Sequence, residues 1–255
     1  MAQAHFDLSG RVAFITGSSR GIGLAIARGL AEAGAEVVIN GRNTEEVERS
    51  RKELADAGHK AHARAFDITD QAAVARHVDL IEKEIGPIDI LFNNAGIQRR
   101  APLVEFKTET WRELMNINLD AVFYVGQAVA RHMIPRGRGK IVNTCSVGSE
   151  LARATIGPYN TSKGAVKMLT KSMCVEWARH GIQVNGIGPG YFKTELNKAL
   201  YTDPVFDEFV RKRTPAARWG ELSELIGVAL LLASDASSYI NGHILYVDGG
   251  LTAVL

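Results

Sequence analysis

The amino-acid sequence predicts an α/β protein built on one doubly wound parallel sheet with helices on both faces. Three observations predict it. Short β-branched runs alternate with longer segments of helical periodicity along the whole chain. The strand candidates are separated by helical segments of roughly 10–25 residues, the kind of crossover that a parallel pair requires. Glycine is high, 25 of 255 residues, against about 7% in an average protein, and much of the excess sits where a strand turns into a helix.

Each element follows in order. Residues 12–16 form a buried-strand candidate. The helix over 22–33 has apolar residues at helical spacing (Ile22, Ala25, Ile26, Leu30 and Ala33), and Gly34 stops it. A second strand covers 35–39. Thr44 is expected to cap a polar helix that ends near Gly58, with Glu45 and Glu46 suiting its N-terminal dipole. A third strand covers 61–66 and a third helix 70–84; Pro87 and Asp89 open the strand 88–92. A long helix over 109–132, a strand over 140–145, a helix over 158–180 and a strand over 183–187 follow. A helix over 221–234 and a strand over 244–247 complete the pattern. With no repeat, low-complexity tract or linker, one domain over 1–255 is expected. The least regular stretch, 190–219, is expected to be a mobile substrate flap with short helices.

Composition narrows the function. Hydrophobic residues make up 46% and charged residues 23%, which excludes a disordered chain. A formal charge of +2 offers no field for nucleic acid or an anionic membrane, so neither is expected as a partner. Cys145 and Cys174 are the only cysteines, too few for a disulfide scaffold or a four-thiolate zinc site. The histidines are scattered, and no metal site is expected. Residues 1–10 lack a basic and then apolar leader, and the longest apolar stretch, 225–233, is too short for a bilayer. A soluble cytoplasmic protein is the expectation.

The run Thr16-Gly17-Ser18-Ser19-Arg20-Gly21-Ile22-Gly23 joins the first strand to the first helix. Glycines there let the backbone turn tightly and approach a pyrophosphate, while the helix N-terminus offers free N–H groups and the positive end of a dipole. Ile22 stands where a Walker loop needs its second glycine. The reading is a Rossmann-type dinucleotide turn, with Gly17, Ser19, Arg20, Gly21, Ile22 and Gly23 on the cofactor. Enzymes that use NAD place an acid at the end of the second strand to bond the ribose 2′-OH. Here the chain reads Asn40-Gly41-Arg42-Asn43. No carboxylate stands there to repel a 2′-phosphate, and Arg42 and Arg20 supply two cations suited to one. NADP is therefore expected, with NAD as the alternative; two solvated arginines is the plain reading of the same pair.

Ser146 ends a strand, Tyr159 follows Pro158 at a favoured helix start, and Lys163 lies one turn further on the same face. A phenol is a poor base at neutral pH. A nearby ammonium and an oxidised nicotinamide both favour the phenolate, so its pKa is expected to fall. Ser146 can hydrogen-bond a substrate oxygen and stabilise alkoxide charge, and Lys163 can also bind the nicotinamide ribose. Tyr-x-x-x-Lys alone arises by chance in many helices; the combination carries the reading.

These motifs together resemble the short-chain dehydrogenase/reductase family. The resemblance rests on Thr16 to Gly23, Asn93-Asn94-Ala95-Gly96, Asn118, Ser146, Tyr159 to Lys163, Pro189-Gly190 and Asp248-Gly249-Gly250, and it spans essentially the whole chain. It implies a catalytic set of Asn118, Ser146, Tyr159 and Lys163, with Asn118 bending its helix and holding a relay water. It also implies that Asp67 and Ile68 flank the adenine, that Asn94, Ala95 and Gly96 line the ribose, and that Pro189, Gly190 and Thr194 meet the carboxamide. Pro189-Gly190 also reads as an ordinary turn. The Asp248 tail suits packing and assembly. A homotetramer is implied by the resemblance alone.

Within the family, residues 93–100, 145–151, 190–200 and 213–220 resemble the branch that interconverts D-gluconate and 5-keto-D-gluconate, which implies a small sugar acid as substrate. A sugar acid needs a cation for its carboxylate. Arg99 and Arg100 follow the fourth strand at its C-terminal end, where ligands of α/β sheets bind, and Arg100 is the preferred candidate. Tyr159 and Ser146 would also touch substrate. Glu150 could contact a hydroxyl or an ion, or be a surface carboxylate. The alternatives are a 3-oxoacyl-carrier-protein reductase, another polyol or ketose reductase, and a non-catalytic dinucleotide-binding regulator; the intact Tyr159 and Lys163 speak against the last.

Overall fold

The computed structural model describes residues 3–254; Met1, Ala2 and Leu255, which belong to the 1–255 span above, lie outside them. Seven strands, β1 Val12–Ile15, β2 Glu36–Gly41, β3 Ala61–Ala65, β4 Ile88–Asn93, β5 Gly139–Thr144, β6 Ile182–Pro189 and β7 Ile244–Val247, form one sheet. Its order is β3-β2-β1-β4-β5-β6-β7 and every neighbouring pair is parallel. The crossing helices are α1 Gly21–Glu32, α2 Thr44–Asp56, α3 Gln71–Glu84, α4 Thr108–Met115, α5 Ala121–Arg136, α6 Gly157–Trp177, α7 Lys198–Tyr201, α8 Pro204–Arg213 and α9 Ile226–Ala233.

The central strands are apolar at consecutive positions because both faces are covered. In β1, Ala13 and Ile15 pack with Ile26 and Leu30 of α1 and Leu232 of α9, whereas Val12 and Phe14 face Val78 of α3 and Val129 of α5. The strand order reverses between β1 and β4, and the crevice beyond the strand C-termini at such a switch point is the usual ligand site of these sheets.

Three departures from the sequence reading have identifiable causes. The helix expected over 109–132 is α4 and α5 joined by a π-turn, Asn116–Asp120. The Asn118 side chain inside that turn bonds the Ile97 backbone on both sides, accepting from its N–H at 2.8 Å and donating to its carbonyl at 2.9 Å; such insertions widen a helix locally. The cap of α2 is Asn43, not Thr44, with its side chain accepting the Glu46 N–H at 3.0 Å. The helix expected over 221–234 opens as a 3-10 turn, Leu222–Leu225, because the Glu224 carboxylate folds back onto the Glu221 N–H at 2.8 Å. The stretch 190–219 carries the short helices expected of it, Glu195–Asn197, α7 and α8.

Candidate active site

The glycine turn closes against the end of β4 through a polar lattice. Thr16 Oγ1 accepts the backbone N–H groups of Asn94 and Ala95 at 3.0 and 3.2 Å, and the Asn94 amide donates to the carbonyls of Thr16 and Gly17 at 3.1 and 3.0 Å. There is no room for side chains here. A Cβ on Gly17 would stand 2.8 Å from Ala95 Cα, and one on Gly23 would stand 2.5 Å from the Gly17 carbonyl. Gly21, Ile22 and Gly23 form the first turn of α1, which no side chain caps, so its N-terminal N–H groups face the crevice.

The end of β2 forms the next wall. Asn40 is buried, with its amide spent on Gly17 N–H (3.3 Å) and on the carbonyls of Arg64 and Phe66 (3.0 and 3.3 Å). Arg42 is exposed and has no ion-pair partner among the described residues. Arg20 is 80% exposed at its side chain, with Glu46 at 3.9 Å. Ser19 sits beside Gly41, and its carbonyl accepts from Ser50 at 2.8 Å. Asp67 lies two residues past β3, and its carboxylate accepts the Thr69 N–H and hydroxyl at 2.9 and 2.8 Å, with Ile68 buried next to it.

Ser146, Tyr159, Lys163, Asn118 and Gly96 converge at the ends of β4 and β5. Ser146 Oγ accepts the Gly148 N–H at 3.0 Å, and a Cβ on Gly148 would lie 3.4 Å from Ser146 Oγ and 3.6 Å from the Tyr159 ring. Lys163 Nζ donates to the Thr144 carbonyl at 2.6 Å and lies 5.9 Å from the Tyr159 ring centre. A Cβ on Gly96 would stand 3.3 Å from Asn118 Oδ1 and 3.7 Å from Lys163 Nζ. Asn118 also donates to Ser162 Oγ at 3.2 Å, and Ser162 donates to the Tyr159 carbonyl at 2.7 Å.

Burial pushes the Tyr159 phenol above its ordinary value, and its hydrogen bond with Ser146 works in the other direction. The fall expected from Lys163 is not produced by the protein's own groups. Desolvation dominates, and it holds the Lys163 ammonium down at about 8.

On the substrate side, Arg99 pairs with Glu113 at 2.9 Å, whereas Arg100 donates to the Gln98 side-chain oxygen at 2.8 Å and has no carboxylate partner among the described residues. Glu150 is engaged within the protein: its carboxylate pairs with Lys167, accepts the Tyr246 hydroxyl at 2.7 Å, and is held low by both. Pro189 and Gly190 end β6 against the Asp248 turn, where the Asp248 carboxylate ties down Gly250 and Thr252 at 2.7–2.9 Å. Thr194 caps the turn Glu195–Asn197. Sequence reasoning missed Ser149, Ser162 and Arg153. Ser149 accepts the Ser146 N–H at 3.3 Å and donates to the Lys163 carbonyl at 2.9 Å, and so ties the two together. The signal for Ser162 was its place one residue before Lys163, on the face toward Asn118.

Comparison with known proteins agrees with this geometry. The family model described as enoyl-(acyl carrier protein) reductase matches residues 17–252. A gluconate 5-dehydrogenase of Gluconobacter oxydans is 59% identical, over 98% of each chain. A 5-keto-D-gluconate 5-reductase of Escherichia coli is 54% identical over 96% of this chain and 97% of its own. The crystal structure of a gluconate 5-dehydrogenase from Burkholderia cenocepacia, in complex with NADP and tartrate, superposes with a TM-score of 0.98 at 58% identity over 100% of both chains. Likeness of this extent, in sequence and in backbone, makes this chain a member of the short-chain dehydrogenase/reductase family, an NAD(P)-dependent oxidoreductase.

Proposed function

We propose that this enzyme interconverts D-gluconate and 5-keto-D-gluconate with NADP(H), through Tyr159 as general acid and base. The observation that carries the reading is the convergence of Ser146, Tyr159 and Lys163 at the switch point beside an arginine loop, in a chain 59% identical to a gluconate 5-dehydrogenase. The nucleotide fits the residues present. The Gly17 and Gly23 cradle admits only a close backbone approach, and the end of β2 offers Arg42 and no acid. The α1 N-terminus with Ser19, Gly21 and Ile22 would hold the pyrophosphate, Arg42 and Arg20 the 2′-phosphate, and Asp67 and Ile68 the adenine side. Asn94, Ala95, Gly96 and Lys163 would hold the riboses, and Pro189, Gly190 and Thr194 the carboxamide. Bound NADP supplies the hydride acceptor, and NADPH the donor in reverse.

The chain's own residues manage the proton. In oxidation the C5 hydroxyl proton passes to Tyr159 Oη as the C5–H bond breaks; in reduction Tyr159 returns it to the developing alkoxide. Ser146 Oγ hydrogen-bonds that oxygen and stabilises its charge. Lys163, when protonated, sets a cation 5.9 Å from the Tyr159 ring, which together with the oxidised nicotinamide would offset the burial that raises the phenol, and Asn118 fixes the helix turn behind it. Arg100 takes the carboxylate. The chain works as one nucleotide-binding and catalytic domain over 1–255, with 190–219 as its substrate flap. We assign it to the cytoplasm as a homotetramer: both cysteines are unpaired, no helix among the described residues is long and apolar enough to cross a membrane, and Phe123, Met168 and Val175 expose apolar surface on α5 and α6. A substrate panel tests the reading. NADPH oxidation by 5-keto-D-gluconate should exceed that by acetoacetyl thioesters, and the reverse order would favour a carrier-protein reductase.

A further inference from the structure

The loop after β4 offers Arg100 as a cation with no carboxylate partner among the described residues, and the structure sets a second guanidinium beside it. Arg153 lies between the Ser146 turn and α6, in a segment bound to the Arg100 loop by the Ala101 N–H donating to the Thr155 carbonyl at 3.1 Å. Thr155 has φ 70°, a left-handed conformation that a β-branched residue adopts only when its surroundings impose it. The path of this segment is therefore fixed by its contacts. Arg153 Cζ stands 5.0 Å over the Phe206 ring of α8, and Phe206 meets Tyr191 edge-on at 5.9 Å. The Arg153 Nε–H is buried without a partner, and among the described residues no carboxylate pairs with Arg153 or with Arg100. The two cations are close enough to repel one another, and both act on the Tyr191 hydroxyl.

An arginine that serves structure is normally given an acid or a carbonyl for its buried N–H groups. Here the buried Arg153 Nε–H has neither, and the Arg100 guanidinium beside it has the Gln98 amide oxygen and no carboxylate among the described residues. We propose that Arg153 is a specificity-determining residue that completes, with Arg100, a two-guanidinium receptor for the substrate carboxylate, with the flap ring of Phe206 holding its plane. Guanidinium forks match a carboxylate in geometry as well as charge, and an anion between them removes their mutual repulsion. This inference rests on the sugar-acid reading above.

The test compares Arg153→Ala, Arg153→Met and Arg153→Lys on 5-keto-D-gluconate and on L-sorbose, its counterpart with an uncharged C1. Arg153→Ala and Arg153→Met should raise KM for 5-keto-D-gluconate by roughly 10- to 100-fold, with kcat within about threefold and NADPH affinity unchanged. Arg153→Lys, which keeps the charge but not the fork, should fall between. L-Sorbose turnover should change by less than about threefold, because the lost interaction is with a charge it lacks. Wild-type KM in Arg153→Met, or equal losses on both ketoses, would overturn the role of Arg153 while leaving the sugar-acid reading intact. A wild type that does not reduce 5-keto-D-gluconate would overturn both.

Discussion

Replacing Arg42 by Asp should convert an NADP enzyme into one that favours NAD, and the structure sets the size of the change. Asn40 cannot contribute, because its amide is consumed by the glycine turn and by β3. Arg20 is only loosely held near Glu46 at 3.9 Å. On the proposed reading, Arg42 is the principal cation for a 2′-phosphate. Loss of one charge-assisted hydrogen bond costs about 1.5–3 kcal/mol, or roughly 10- to 150-fold in affinity. The new carboxylate adds repulsion of about 1 kcal/mol or more at a solvated surface, less at high salt. The kcat/KM for NADPH should fall by about 100- to 1,000-fold. NADH should gain less than about tenfold, the worth of one hydrogen bond to its 2′-OH. The assay is initial-rate kinetics with both nucleotides at saturating 5-keto-D-gluconate and fixed ionic strength. Arg42→Ala separates loss of attraction from added repulsion. A wild type that prefers NADH, or an Asp variant that moves the nucleotide ratio by less than about tenfold, would refute the reasoning.

Gly23→Ala should lower both thermal stability and NADPH affinity, because its Cβ would lie 2.5 Å from the Gly17 carbonyl and 2.8 Å from Ser18 Cα; an overpacking cost of about 1–3 kcal/mol should appear in calorimetry and fluorescence titration. Lys163, held at about 8 by burial, binds fewer protons folded than unfolded between pH 8 and its unfolded value near 10.4, so its contribution to stability rises with pH across that window. Lys163→Met should remove that rise, on the order of 2 kcal/mol between pH 7.5 and 9.5, from melting curves at those two pH values. Gluconate oxidation should accelerate toward alkaline pH, because the phenol of Tyr159 is pushed up and its base form is required; a flat profile with hydride transfer rate-limiting would contradict this.

The strands and most helices were legible because two-sided burial writes itself as consecutive apolar residues, and helix faces as a repeat of three and four. The glycine turn, Tyr159 and Lys163 were legible because their chemistry is local: one loop and one helix face. What was not legible depends on residues far apart in sequence. The π-turn depends on Asn118 bonding Ile97, 21 residues away; the family resemblance implied a bend at Asn118, and nothing in the helical periodicity of 109–132 announces it. Arg153 reads as one more loop cation until the fold brings Phe206 to it. Glu150 finds Tyr246 on β7, 96 residues on. The burial that raises the Tyr159 phenol in the protein alone was not legible either, because charge patterns are visible in a sequence while desolvation is set by packing.

The measurement that bears most directly on the central claim is the turnover of Tyr159→Phe with 5-keto-D-gluconate and NADPH, taken beside its NADPH dissociation constant. The substitution removes one hydroxyl and leaves the glycine cradle and Lys163 in place. Turnover should be abolished while nucleotide binding stays within about threefold of wild type, since the proton donor is gone and the nucleotide site is not. Retention of more than about a tenth of kcat, a barrier change of only ~1.4 kcal/mol, would contradict it.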